Sequence, residues 1–293
     1  MLQLRSDAAL AHIDPVNGAG IVDLSLADQP ILSTGHGRPQ GSPFAQGMNL
    51  LVPFSNRISM PFTFAGKIYS VPANLLGEPF AIHGDAFQEP WDVQVQAGDH
   101  ATLTMRGDIG PFLYDARVAY VLGPSELSVR LDLTNRAEVT LPYGGGFHPW
   151  FPRYPTTKLA FRAGGYWPEN KLHLPVTRTP VQVPGDWQFD HPSSLPYGWI
   201  NAGFSNWDGV AHIYQPTMEL TITGSGLSTA LLYSPDTDAP FFCFEPVSHP
   251  VDAHNLPGQP GLVPLAPGQS LTLILQLSWQ AANHTRPNKE HLQ

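Results

Sequence analysis

An apolar run of strand type, Phe241-Phe242-Cys243-Phe244, ends on the carboxylate of Glu245, and Pro246 follows. A proline there is expected to stop further ladder pairing and leave Glu245 at the mouth of a buried strand. A carboxyl held in that position is partly desolvated, which raises its pKa and makes it a better base. A strand-end glutamate facing solvent is the plainer alternative. Other polar landmarks also stand among apolar or aromatic neighbours: Asn56-Arg57, His83-Gly84, and His148 within Gly146-Phe147-His148-Pro149-Trp150-Phe151. Singly each is weak. A histidine beside glycine or proline is commonly a hydrogen-bonded loop residue, and an arginine after asparagine is easily a structural pair bonded to backbone carbonyls. Together, two histidines, an arginine and a strand-end glutamate are what acid–base work on a neutral polyol would use. One group takes a proton and another gives one, their pKa values set apart by environment. Sugars are commonly held by aromatic faces and planar polar side chains, and Trp91, Trp150, Trp167, Trp199 and Trp207 are candidates, most of them expected to be packing.

A metal site built from His83, His148 and Glu245 is the less favoured reading. No His-x-His pair is present, and the His249/His254 spacing fits no standard zinc pattern, so the expectation is no metal. Cys243, the one cysteine, is read as a small buried core residue rather than a nucleophile, and His249 and His254 as structural.

Strands must position these groups. Thr102 to Arg106 alternates, with Leu103 and Met105 on one face. Val118, Tyr120 and Leu122 share a face, as do Leu127, Val129, Leu131 and Leu133, and Gly123-Pro124-Ser125 joins the two as a hairpin. Further strands are expected at 219–223 and 229–233 and through the alternating Leu271, Leu273, Leu275 and Leu277. Two short segments flank the turn at 15–20, and another short pair is expected at 62–64 and 67–71. The loop over 33–47 is rich in Gly, Pro and Ser, and residues 163–209 read as loop-rich. No window shows a sustained helical stripe, no repeat period stands out, and no break in composition marks a second domain. The expected organisation is one all-β domain over residues 1–282 with a polar tail over 283–293.

Charged residues are 13% of the 293, against roughly 25% in an average soluble protein, and the 31 prolines are about twice the usual share. Both favour strands joined by turns. The net charge of −9 without a Lys/Arg cluster argues against nucleic acid or an anionic membrane as partner. One cysteine permits no intramolecular disulfide, and the N-terminus has neither a signal-peptide pattern nor a long apolar span, so the expected location is the cytoplasm.

The order Asn56-Arg57, His83-Gly84, Gly146-Phe147-His148-Pro149-Trp150-Phe151 and Phe244-Glu245-Pro246, with Asn255 following, resembles the aldose 1-epimerase (mutarotase) family from about residue 20 to 278. The resemblance implies a large antiparallel β-sandwich with the sugar in an open cleft, and neither metal nor organic cofactor. It implies Glu245 as general base, His148 as general acid, His83 as the second histidine assisting at the ring oxygen, and Arg57 orienting sugar hydroxyls. Asn56, Asn201 and Trp150 are the further expected sugar contacts. The implied reaction opens the ring of a free aldose and closes it from the other face; the expected partner is that small-molecule sugar, and the assembly a monomer or homodimer. The chain departs from the pattern in one place: Asn201 stands where many relatives carry Asp in an Asp-x-x-Phe-x-x-Trp segment, here Asn201 to Trp207. That leaves the hydroxyl pattern of the substrate open and keeps a non-catalytic carbohydrate-binding protein as an alternative. With only Arg57 and Arg153 near the motifs, a sugar phosphate is the less favoured substrate.

Overall fold

The computed structural model describes residues 1–34 and 42–282. The expected 33–47 loop therefore lies partly, and the 283–293 tail wholly, outside the described residues. Two large antiparallel sheets, of ten and nine strands, dominate, and the helical content among the described residues is confined to short 3-10 turns.

The clearest alternation in the sequence builds the nine-stranded sheet. His100–Ile109, Phe112–Leu122, Glu126–Asn135 and Ser270–Ala281 lie side by side there. Their registers set Leu103 opposite Val118, Val118 opposite Leu131, and Leu131 opposite Leu273, so one row of buried aliphatic side chains crosses four strands. Each such side chain contributes about 1.5–3 kcal/mol on full burial. The expected hairpin at Gly123 closes with its N–H donating to the Glu126 carbonyl at 2.8 Å.

The ten-stranded sheet carries the chemistry-bearing residues. From its middle to one edge the strands run Met48–Leu51, Gly146–Pro152, Phe241–Val247, Thr229–Ser234, Ile200–Ser205 and Gly165–Trp167, each paired with the next. Phe241–Val247 is buried along its whole length. Phe242 and Phe244 join the main core between the sheets, whereas Phe241 and Cys243 pack with Trp150 on the opposite face. A strand covered on both faces reads as one apolar run, which is how it reads in the sequence. At the other edge the two segments flanking the 15–20 turn form the expected hairpin, Ala9–Ile13 with Ile21–Leu26, and the chain adds one more strand, Leu2–Ser6, paired with Ala9–Ile13. In the region read as loop-rich, Ile200–Ser205 forms a full six-residue strand. Its Gly, Asn and Ser lower β-propensity, but Ile200, Ala202 and Phe204 are buried on the core side and tertiary packing decides.

Pro246 does not end the strand as expected. It stands opposite Ala230, and the register continues to Thr229 opposite Val247. On the other side, Gly146 opposes Val247 and Trp150 opposes Cys243, a constant register with no ladder pair formed between those rungs. Pro149 and Pro246 fall within that gap and have no N–H to offer it, so the ladder opens without shifting. Gly144, Gly145 and Gly146 bring this strand close to its neighbours: a Cβ on Gly146 would lie 2.5 Å from the Pro246 carbonyl oxygen and 2.7 Å from Val247 Cα.

Two buried histidines tie the surrounding loops down. His249 Nε2 accepts from the Ser55 N–H at 3.2 Å, and its Nδ1 lies 2.7 Å from Ser248 Oγ, which accepts from the Gly145 N–H. His254 Nε2 donates to the Pro142 carbonyl at 3.1 Å. Burial pushes the imidazoles down, to about 4 for His249 and about 3 for His254, the latter also repelled by His249. Unfolded, each binds its proton near pH 6.5, so the unfolded state takes up protons that the folded state refuses. The stability contribution is whole above that pH and is lost as pH falls towards 4 and 3, at up to about 1.4 kcal/mol per pH unit for each histidine. Urea unfolding at pH 7, 6 and 5 is expected to show the midpoint falling, and falling less steeply in His249→Gln; equal slopes would remove His249 from the account.

Candidate active site

His148 and Glu245 form a cross-strand pair. The register that joins Gly146 to Val247 and Trp150 to Cys243 places His148 opposite Glu245 on the face away from the main core. Side chains so placed start about 5 Å apart at Cβ. His148 Nε2 reaches Glu245 Oε1 at 3.2 Å, with both residues buried. Glu245 Oε2 is also buried and meets no hydrogen-bond partner among the described residues. Burial pushes the Glu245 carboxyl up to about 8, with Arg57 pulling partly the other way.

His83, Asn56 and Arg57 are brought to the same place by a small ribbon pairing Arg57–Ile58 with Ala81–Ile82. The His83 N–H donates to the Asn56 carbonyl, and the Asn56 N–H donates to His83 Nδ1, both at 3.0 Å. Nδ1 therefore carries the lone pair and Nε2 the proton. Burial, then repulsion from His148 and Arg57, holds the His83 imidazole well below its usual pKa, so it is a neutral ring with one N–H to donate. The turn that carries it is tight: His83 and Gly84 both have positive φ, and Asn74 brackets them with bonds to Ile82 and Gly84. A Cβ on Gly84 would overlap the Val52 carbonyl, which accounts for the glycine beside the histidine. Arg57 is not a free cation. Its Nε and Nη2 donate to the two oxygens of Glu78 at 3.1 and 2.9 Å, and its Nη1 reaches Asn56 Oδ1 at 3.3 Å.

These groups line one cleft of about 350 Å³ with Trp150, Trp199, Asn201, His173 and Tyr233. All seven residues singled out from the sequence (Glu245, His148, His83, Arg57, Asn56, Asn201 and Trp150) therefore stand on one site. Trp150 is placed differently from expectation: it is 1% exposed and stacks on the His148 ring at 4.8 Å, backing the histidine instead of offering its face to a ligand. Trp199, 49% exposed on the cleft wall, has the open face. Trp91, Trp167 and Trp207 are core packing. Sequence reasoning passed over Glu78, His173, Phe44 and Tyr233. Phe44 packs against both His83 and His148. Tyr233 alone carried a signal, since it shares the alternation of the strand at 229–233.

A sequence model of the aldose 1-epimerase family matches residues 18–278. The chain belongs to that family. It is 34% identical over 241 residues to the Escherichia coli (strain K12) protein YphB, described as uncharacterized, covering 78% of this chain and 83% of that one. The structure of a candidate aldose 1-epimerase from Escherichia coli K12 superposes with a TM-score of 0.91 at 29% identity, covering 96% of this chain and 99% of that one. A galactose mutarotase-like protein from Clostridium acetobutylicum shares the fold, with a TM-score of 0.82 at 16% identity over 96% and 95% of the two chains. The aldose 1-epimerase fold thus accounts for the large antiparallel sandwich.

Among the described residues, the set of three side chains whose donor atoms could hold a cation differs from the trio considered from sequence. His148, Cys243 and Glu245 have donor atoms within 4.8 Å of one another. A metal there would occupy both members of the cross-strand pair.

The raised Glu245 pKa has a stability consequence. In the unfolded chain this carboxyl ionises near 4.5. Folding stabilises the protonated form, so the associated stability is present below that pH and is lost as pH rises through about 8. The loss reaches on the order of a few kcal/mol. Glu245→Gln has no such loss, and its thermal midpoint at pH 8.5 is expected to exceed that of the unmodified protein. A variant no more stable there would contradict desolvation as the cause.

Proposed function

We propose that this protein interconverts the α and β anomers of a free, uncharged aldose. The observation that carries the reading is the 3.2 Å contact between His148 and Glu245 inside a cleft lined with aromatic and planar polar groups. In an aldopyranose, the anomeric hydroxyl and the ring oxygen are bonded to the same carbon. A base and an acid that must act on those two oxygens have to stand side by side, and these do. Glu245 takes the proton of the anomeric hydroxyl while His148 protonates the ring oxygen. The bond between C1 and the ring oxygen breaks as the C1 carbonyl forms, giving the open-chain aldehyde. Rotation about C1–C2 presents the other carbonyl face. The ring hydroxyl then attacks C1, His148 takes back its proton, and Glu245 returns one to the new anomeric oxygen. Protons and electrons balance over the cycle. His83 adds a neutral N–H donor to the cleft, fixed by Asn56, for the ring oxygen or a neighbouring hydroxyl.

The charge of the cleft supports an uncharged sugar. Arg57 is engaged by Glu78, and Glu245 adds a second acidic group, so a phosphate would find no unpaired cation among the described lining residues. Anomer exchange by magnetisation-transfer NMR on a panel of aldoses is expected to run above the spontaneous rate, and more slowly on the corresponding 6-phosphates. Glu245→Gln should lose roughly 10²–10⁴-fold. Binding without faster exchange by the unmodified protein would sink the reading in favour of a carbohydrate-binding protein.

The active form needs one proton shared between His148 and Glu245. Rate against pH should therefore be bell-shaped, with both limbs belonging to the pair rather than to either residue. A profile flat from pH 5 to 9 would count against the assignment. Metal content distinguishes the remaining chemistry: activity should survive chelation and dialysis, whereas stoichiometric metal whose removal abolishes exchange would point to the His148, Cys243 and Glu245 set instead.

A further inference from the structure

Three polar side chains on one wall of the cleft converge on a carboxylate that stands behind them. Asn201 Nδ2 donates to Glu169 Oε2 at 2.5 Å, Trp199 Nε1 donates to Oε1 at 2.9 Å, and His173 Nδ1 lies 2.9 Å from Oε2. Glu169 is 22% exposed at its side chain. The loop after it is built to return His173: the Asn170 N–H donates to the Leu174 carbonyl and the His173 N–H to the Asn170 carbonyl, with His173 at φ +60°.

A carboxylate accepts and does not donate. It therefore fixes the direction of every bond it receives. The Asn201 amide must turn its NH₂ to Glu169, which sends its oxygen the other way, where it meets no partner among the described residues. His173 presents Nδ1–H to the same carboxylate. The Trp199 N–H is spent, and only the ring face remains. At position 201 the amide therefore offers the cleft its acceptor.

Its place follows from the sheet. Asn201 opposes Tyr233 and Tyr233 opposes Cys243, two residues along from the rung of Glu245. Two strand spacings and two residue rises put the Cα atoms of Asn201 and Glu245 about 12 Å apart. With both side chains reaching inward, a single sugar ring fits between them.

We propose that Glu169 is a positioning residue which turns the Asn201 amide so that its oxygen forms an acceptor subsite selecting sugars by one non-anomeric hydroxyl that must donate its proton. The inference rests on the epimerase reading for the identity of the ligand as a sugar. It also explains why Asn is suited to position 201: an aspartate there would press a second carboxylate against Glu169.

The test compares a parent aldose with its monodeoxy analogues on the unmodified protein, Glu169→Gln, Asn201→Asp and the double variant Glu169→Gln/Asn201→Asp, reading KM and kcat of anomer exchange. Removing one particular hydroxyl should cost the unmodified protein about tenfold in kcat/KM, the worth of one hydrogen bond. In Glu169→Gln the amide is free to turn, and that penalty should shrink below about twofold while KM for the parent rises and kcat holds. Asn201→Asp should bind poorly, and the double variant should recover, since an amide at 169 again supplies a donor to an acceptor at 201. Equal deoxy penalties in the unmodified protein and Glu169→Gln, or no recovery in the double variant, overturn the proposal. Thermal midpoints show whether each variant folds. The same series is read as Kd on a Glu245→Gln background. Sugars that bind this background but are not exchanged above the spontaneous rate by the protein with Glu245 intact would fail the epimerase reading, while the deoxy comparison of Kd still decides the role of Glu169.

Discussion

The site depends on one constraint: an imidazole and a carboxyl must be held side by side, out of water, on adjacent strands at the centre of a sheet. Neither group favours that position. Burial opposes the charge of each; their mutual contact opposes that cost, and for Glu245 the nearby Arg57 does so as well. The surroundings answer to this. Prolines at 149 and 246 occupy the gap in the ladder beside the pair, glycines at 144–146 let the strands close up, Trp150 lies flat on His148, and Phe44 packs against the imidazole. Removing any of these would loosen a geometry that ring opening requires to within a fraction of an ångström.

Arg57 shows the balance from the other side. Its charge pulls the Glu245 carboxyl down, against burial. An unpaired guanidinium in a dry cleft would pull harder, towards a weak base that ionises at ordinary pH. Glu78 takes up two of the guanidinium's nitrogens and moderates that pull. The same pairing removes the attraction a phosphate would have felt. A single ion pair at the mouth of the cleft thus bears on both the strength of the base and the charge of the ligand.

Much of this was legible in the sequence, for reasons specific to each residue. Glu245 stood out because an apolar run ended on it, although Pro246 proved to sit inside the strand. His148, His83 and Arg57 were legible as short local motifs whose neighbours carry backbone roles: Gly84 fits beneath Val52, and Gly146 beside Val247. The alternating leucines of Ser270–Ala281 were legible because one face is core and the other is not. Ile200–Ser205 was not, because its pairing depends on Thr229–Ser234, a partner that local propensity cannot see. Glu78 and Glu169 were also hidden. Each lies in a segment without periodicity and acts only through a side chain that the fold brings to it, 21 residues away for Arg57 and 32 for Asn201.

The two hidden carboxylates act alike. Each stands behind a residue the sequence did flag, and each works by accepting. Glu78 takes two of the five N–H donors of Arg57, and Glu169 takes one each from Asn201, Trp199 and His173. Trp199 is left with its ring face and Asn201 with its amide oxygen, while His83 keeps its N–H. A polyol has hydroxyls at every carbon, each able to donate once, and an acceptor fixed in direction sorts them by geometry rather than by charge. In the proposed reaction the ligand would be held by the carbons that do not react while C1 is free to turn, and a hydrogen bond from a distant hydroxyl to Asn201 would hold the sugar without opposing that rotation.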